Sequence, residues 1–120
     1  MTIRRIMPNV VTEDIEESRS FYGDFLGMDV RMDEPGFLML ASPSNPTAQM
    51  TVVSPAAESW DPDTCRTAMA VEVEDVDAVY AAAQRRGLRV VYPLTTEAWG
   101  IRRFFAQAPD GSIININSHA

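Results

Sequence analysis

The 120-residue sequence predicts an α+β fold in which two βαβββ modules follow one another within a single domain. Residues 13–30 align with 74–90 at an offset of 61 with one residue dropped before the glycine, and residues 49–54 align with 113–118 at an offset of 64. Each repeat contains one stretch with helical spacing of apolar residues and several strand-like stretches. Because a polar stretch that contains proline separates the repeats, we predict a first module at 1–54, a joint at 55–65 and a second module at 66–120.

The sequence predicts one helix in each module, over residues 14–26 and 75–86. Asp14 and Asp75 can cap the two N-termini, because a carboxylate at that position accepts hydrogen bonds from the amides of the first turn. Gly27 and Gly87 can adopt the left-handed conformation that commonly ends a helix. The apolar side chains at helical spacing are Ile15, Phe21, Tyr22, Phe25 and Leu26 in the first helix and Val76, Val79, Tyr80 and Ala83 in the second.

Eight stretches have the length and the residue types of strands. They are residues 3–11, 28–32, 36–41, 49–53, 67–73, 89–93, 101–106 and 112–117. The last of them alternates Ile114 and Ile116 with Asn115 and Asn117, which gives one apolar face and one polar face. The two amides would either lie on a solvated edge or line a binding site.

Composition excludes two classes of partner. The chain has 17 acidic residues against 10 basic ones and a formal net charge of -7, so it would repel nucleic acid and anionic membrane surfaces. No apolar run approaches the roughly 20 residues of a membrane span, and the first residues do not resemble a signal peptide. We therefore expect a cytoplasmic protein with neither nucleic acid nor membrane as a partner.

Few side chains could carry out nucleophilic or proton-transfer chemistry. All 10 basic residues are arginine, which excludes a lysine Schiff base. His119 is the single histidine, and we expect it to fray because it is the penultimate residue. Cys65 is the single cysteine and has no histidine beside it in the sequence. We therefore expect no catalytic residue.

Three stretches carry a resemblance to a known family. They are MPNVVTEDIEESRSFYGDFLGMDV at 7–30, VEVEDVDAVYAAAQRRG at 71–87 and WGIRRFFAQAPDGSIIN at 99–115. With the order and duplication of the elements, they make the chain resemble the vicinal oxygen chelate superfamily, which includes glyoxalase I, extradiol dioxygenases, and fosfomycin and bleomycin resistance proteins. The resemblance covers nearly the whole chain. It implies curved mixed sheets around a cup, with the helices on the outside.

The resemblance also implies a homodimer, because open sheet edges are usually covered by a partner. The sequence leaves open whether the modules pair within one chain or between two chains. Trp60, in the joint, could form part of the contact between modules or subunits.

Metal-dependent members of this family bind a divalent ion through the first and the last strand of each module. The matching positions here are Met7, Thr51, Ala68 and Asn115. Divalent ions prefer carboxylate and imidazole ligands, so this set would form only a weak site. We therefore expect no metal and no other cofactor. The resemblance then implies a small-molecule binding protein of the bleomycin-resistance type.

Strand alternation indicates which residues would face the cup. Trp99 could offer a flat stacking surface to a planar ligand. Arg102 and Arg103 are adjacent and so point to opposite faces, and either could enter the cup. We expect an aromatic or a cationic drug or metabolite as the ligand, since an acidic protein attracts cations. The candidate ligand-binding residues are Met7, Asn9, Phe37, Thr51, Glu72, Trp99, Arg103, Phe105, Asn115 and Asn117.

The alternative is a metal-dependent lyase, isomerase or dioxygenase of the glyoxalase type. Its metal ligands would have to come from unmatched residues such as Glu72, Glu97 or His119. A dimeric metabolic or regulatory module without a soluble ligand is a third class.

Overall fold

The computed structural model describes residues 2–55 and 67–119. The chain divides into two compact units, which we call the N-terminal unit (Met7–Arg66) and the C-terminal unit (Thr67–Ala120 with Met1–Ile6). Within the C-terminal unit, the amide of Glu74 donates to the carbonyl of Thr2 at 3.0 Å. Trp60 and Cys65, in the joint, lie outside the described residues.

The N-terminal unit contains one mixed sheet and one helical segment. Its strands lie in the order β2-β3-β4-β1; β1 and β4 are parallel and the other neighbours are antiparallel. β1 contributes its first residues to the C-terminal unit. The elements are β1 (Ile3–Val11), α1 (Ile15–Ser18), a π-helical continuation (Arg19–Phe25), β2 (Asp29–Glu34), β3 (Phe37–Ala41) and β4 (Gln49–Val53).

The C-terminal unit repeats the same order of elements. Its strands lie in the order β5-β8-β7-β6, and β5 and β8 are parallel. The predicted α+β fold of two βαβββ modules is therefore confirmed. The elements are β5 (Thr67–Val73), α2 (Val76–Arg85), β6 (Val90–Thr96), β7 (Ile101–Gln107) and β8 (Ile113–His119).

Both helices begin and end where the sequence predicts. The Asp14 carboxylate accepts a hydrogen bond from the amide of Glu17 at 3.0 Å, and Asp75 accepts one from Ala78 at 3.1 Å. The chain leaves each helix at a glycine with positive φ, +83° at Gly27 and +67° at Gly87. Local side-chain chemistry was therefore sufficient to predict these boundaries.

The first helix differs from the prediction in its second half. From Arg19 onwards it is π-helical, and the amide of Leu26 bonds to the carbonyl of Phe21, five residues back. The wider turn changes which side chains face the sheet. Tyr22 packs against the core, whereas Phe21, Phe25 and Leu26 are exposed. Apolar spacing at 3.6 residues per turn therefore does not predict which side chains are buried in a π-helical segment.

Each sheet has its apolar core on the helix side. Burying one large apolar side chain contributes about 1.5–3 kcal/mol, so these clusters carry much of the stability. Because successive strand residues point to opposite faces, the other face of each sheet is available for polar side chains. The fully buried members are Leu38, Leu40 and Val52 in the N-terminal unit and Val73, Val76 and Phe104 in the C-terminal unit.

β2 and β6, each at one end of the strand order of its unit, carry features that disfavour further pairing. Every residue of β2 is exposed, and Asp29, Arg31 and Asp33 place charges along it. β6 contains Pro93, which has no amide proton to donate, and its pairing with β7 is interrupted between Tyr92 and Thr95. Such features protect edge strands from joining another sheet.

Candidate functional site

The face of the C-terminal sheet opposite α2 is polar, and we call it the polar face. Ile116 packs with the core around α2, so its neighbours Asn115 and Asn117 lie on the polar face. Asn117 pairs with Glu72 of β5 on one side and with Arg103 of β7 on the other. The strand register therefore brings together four of the predicted ligand-binding residues.

Glu72, Asn117 and Arg103 form a row across the neighbouring strands β5, β8 and β7, and all three are buried. Burying a charge is costly unless it is paired, and burying an amide is costly unless it is hydrogen-bonded. The contacts of each residue follow from this requirement. Asn117 Nδ2 donates to Asn115 Oδ1 at 3.1 Å, and Asn115 lies opposite Phe105 in the register.

Arg103 is surrounded by a carboxylate and three aromatic rings. Its Nε donates to Glu97 Oε2 at 2.7 Å, and the two side chains are only 8% and 10% exposed. The guanidinium carbon lies 5.6 Å from the ring centroid of Tyr92, 5.2 Å from that of Trp99 and 5.0 Å from that of Phe105. These distances are typical of cation–π contacts. We call these five residues the Arg103 cage.

Tyr92 adds a hydrogen bond to the cage. Its hydroxyl donates to the same Glu97 oxygen at 3.0 Å, and its ring packs against Phe105 with centroids 4.9 Å apart. Burial, more than any other factor, raises the pKa of Tyr92 above its usual value. The phenol therefore stays a neutral donor, and the charges of Arg103 and Glu97 balance each other.

Trp99 is the exposed member of the cage. It lies in the turn between β6 and β7, just before Gly100, which has a φ of +89°. Its side chain is 61% exposed although it is a large aromatic residue. It is therefore not a core residue, and its contact with Arg103 holds the indole over the polar face.

Glu72 forms a second group of charged side chains on the polar face, which we call the Glu72 cluster. One carboxylate oxygen lies 3.3 Å from Arg5 Nε, and the other lies 3.0 Å from His119 Nε2. The prediction that His119 frays is wrong, because β8 extends to this residue and pairs it with Ile101. His119 keeps an exposed side chain, at 67%, while it contacts the buried Glu72.

The remaining predicted residues lie in the N-terminal unit, on the face of its sheet opposite the helix. Asn9 pairs with Thr51 in the register, and the Thr51 hydroxyl donates to Asn9 Oδ1 at 2.7 Å. Met7 is buried two residues before Asn9 on the same strand. Phe37, on β3, is half-buried and pairs with Val53. These four residues therefore combine a polar pair, Asn9 and Thr51, with two apolar side chains.

The four positions that correspond to metal ligands do not fit a divalent ion. Ala68 has no donor atom, and it is exposed where the pairing of β5 with β8 is irregular. Thr51 and Asn115 use their side-chain oxygens in the hydrogen bonds to Asn9 and Asn117. Within residues 2–55 and 67–119, no three His, Cys, Asp or Glu side chains converge as metal ligands would.

The sequence did not decide which of two adjacent arginines lies on the polar face, and it did not predict two of the residues found there. Arg102 lies on the α2 face, where its Nη2 donates to Asp77 at 2.8 Å, so Arg103 is the arginine on the polar face. Tyr92 and Arg5 were not predicted as site residues. Tyr92 belongs to an interrupted strand, and Arg5 reaches the site only through the grouping of the first residues with the C-terminal unit.

A sequence model of the Glyoxalase/Bleomycin resistance protein/Dioxygenase superfamily matches residues 2–116. The chain belongs to this superfamily. Among solved structures, the chain resembles a glyoxalase/bleomycin resistance protein/dioxygenase superfamily member from Vibrio splendidus. The two share 19% sequence identity and a TM-score of 0.73, over 98% of this chain and 99% of that one. No curated protein matches it.

Two methylmalonyl-CoA epimerases also share the fold of this superfamily member. The Mycobacterium tuberculosis enzyme has 23% identity and a TM-score of 0.75, over 99% of this chain and 88% of that one. The Streptomyces coelicolor enzyme, solved with 2-nitronate-propionyl-CoA, has 21% identity and a TM-score of 0.72, over 99% of both chains. At these identities the similarity establishes the fold and not the activity. No helix in the described part of the chain is long and apolar enough to cross a membrane.

Proposed function

We propose that this superfamily member binds a small planar organic molecule on the polar face of its C-terminal unit without a metal ion, and that it releases the molecule unchanged. The Arg103 cage is the observation that carries the proposal. It holds an exposed indole over a buried, charge-balanced ion pair. A rigid aromatic surface beside a few polar groups is typical of small-molecule sites.

Local charge favours the aromatic ligand over the cationic one. The whole chain is acidic, but on the polar face Arg103 balances Glu97 and Arg5 balances Glu72. A cation would therefore gain little from this surface beyond the long-range attraction of the acidic protein. A planar ligand can stack on Trp99 and exchange hydrogen bonds with the amides of Asn115 and Asn117.

The contacts of the acidic residues also favour a metal-independent role over the enzyme alternative. That alternative requires Glu72, Glu97 or His119 as metal ligands. Glu97 is engaged by Arg103 and Tyr92, and Glu72 is engaged by Arg5. A metal ion would have to displace these partners from buried carboxylates, which costs free energy.

We further propose that the protein is a homodimer and that its interface includes the exposed apolar side chains of the π-helical segment. Phe21 and Phe25 contact each other with ring centroids 5.5 Å apart, and Phe25 is 74% exposed. Leu26 extends this apolar surface. Exposed apolar groups of this kind often mark interfaces. The charges on β2 and Pro93 on β6 favour this surface over edge-to-edge pairing of sheets.

Isothermal titration with a panel of aromatic antibiotics and simpler planar compounds tests the binding function. Trp99→Ala should weaken binding of the best compound by about tenfold or more, which corresponds to about 1.4 kcal/mol. Leu88→Ala is the control, because Leu88 is also an exposed apolar residue but lies in the connection between α2 and β6. Equal affinities for the Trp99→Ala variant and the unmodified protein would refute the proposed site.

Elemental analysis of the purified protein tests the metal-independent part separately. We expect no stoichiometric divalent metal, because the matched positions do not fit one. One Zn, Ni, Mn or Fe ion per chain, lost on substitution of residues on the polar face, would instead support the enzyme alternative.

A further inference from the structure

We propose that Glu72 and His119 form a proton-transfer pair that accepts the proton of an acidic hydroxyl group on the bound molecule. The ligand class would then be planar phenols and enols. This inference rests on the proposed function, since it requires a small planar ligand on the polar face. The inference assigns a role to the Glu72 cluster, which takes no part in the stacking of a ligand on Trp99.

The first step of the argument is the position of the Glu72 carboxylate. It is buried, with a side chain 9% exposed, and it lies between Arg5 Nε at 3.3 Å and His119 Nε2 at 3.0 Å. A carboxylate held in this way accepts the hydrogen of Nε2–H and orients the imidazole ring. The lone pair of a neutral ring is then on Nδ1, so His119 can accept a proton at that atom.

The second step is the location of His119 on the polar face. It follows Asn117 by two residues on β8, so the two side chains share this face and lie about 7 Å apart along the strand. Asn117 pairs with Arg103, the residue whose guanidinium contacts Trp99. His119 pairs with Ile101, two residues after Trp99 in the chain, so the proposal places the hydroxyl group of a ligand stacked on Trp99 beside His119.

The third step is the proton balance. The O–H bond of the ligand breaks, its electron pair stays on oxygen, and the proton forms an N–H bond at His119 Nδ1. The charged groups that bear on the resulting imidazolium are Glu72 of β5, Arg5 of β1 and the Arg103–Glu97 pair. Glu72 contacts the ring directly, and Arg5 contacts the other oxygen of the same carboxylate. The ligand binds as its anion beside this cation.

The test compares 4-nitrophenol with 4-nitroanisole. The two molecules have the same ring and nitro group, but nitroanisole has a methyl ether in place of the acidic hydroxyl. Nitrophenolate absorbs visible light, so its fraction in the bound state can be measured directly. With the unmodified protein, at a pH at which free nitrophenol is mainly neutral, we expect nitrophenol to bind at least about fivefold more tightly than nitroanisole and to be bound mainly as nitrophenolate.

His119→Gln should abolish the preference for nitrophenol, and circular dichroism should show a folded protein because His119 is exposed. Glu72→Gln should reduce the preference as well. Arg102→Gln is the control on the opposite face of β7 and should leave both affinities unchanged. An unchanged preference in the His119→Gln variant would overturn the proton-transfer pair while leaving the binding function intact. If neither probe binds, or if Trp99→Ala leaves the binding of both unchanged, the binding function is overturned and this inference fails with it.

Discussion

Replacing Arg103 with methionine tests whether the buried ion pair holds the polar face together. Methionine keeps most of the length of the side chain but removes the charge, so Glu97 would retain only the Tyr92 hydroxyl among its contacts in the Arg103 cage. Breaking a buried pair by removing one partner costs about 3–5 kcal/mol, because the other charge stays buried without compensation. For a chain of this size, about 4 °C per kcal/mol converts that cost into a melting temperature lower by roughly 12–20 °C.

Urea unfolding followed by circular dichroism measures the loss, and Arg102→Met is the matched control. Arg102 is the adjacent residue on the same strand, but its ion pair with Asp77 is exposed, so its removal should have a much smaller effect. The double variant Arg103→Met with Glu97→Gln should recover part of the lost stability, because it removes the isolated charge. A loss no larger for Arg103→Met than for Arg102→Met would refute the reasoning and mean that solvent screens the Arg103–Glu97 pair.

Three further predictions concern Phe104, Tyr92 and Phe25. Phe104→Ala should lower the free energy of unfolding by about 3–5 kcal/mol, since Phe104 is 0% exposed and packs against Tyr80. Urea unfolding measures this loss, and a loss under about 1 kcal/mol would contradict the assignment of Phe104 to the core. Burial raises the pKa of Tyr92, so its contribution to stability is complete below the ordinary value of about 10 and is lost as the pH rises above it. The melting temperature of Tyr92→Phe should therefore fall less with alkaline pH than that of the unmodified protein, and parallel curves would argue against a buried phenol. Phe25→Ser should weaken the proposed dimer in light scattering at micromolar concentration, and an unchanged molar mass would place the interface elsewhere.

Local signals in the sequence were sufficient for the fold. Asp14 and Asp75 cap their helices, Gly27 and Gly87 end them, and β1, β4 and β5 have the predicted bounds. These features depend on residues within a few positions of one another, so a short window of sequence contains the necessary information. The duplication then supplied the order of the two modules. The alternation along β8 correctly placed Asn115 and Asn117 opposite the apolar face.

The contacts that define the polar face depended on tertiary structure. Sequence patterns could not show which strands are neighbours or which residues pair across them, and a shift of one residue in register moves a side chain to the other face. The register places Arg103 rather than Arg102 on the face of Glu97. The pairing of β8 with β7 continues to His119, which contacts Glu72. The sequence by itself determined the fold and the faces of its strands, because periodicity and caps are local. Only the tertiary structure decided which polar atoms meet, because hydrogen bonds between distant segments set those distances.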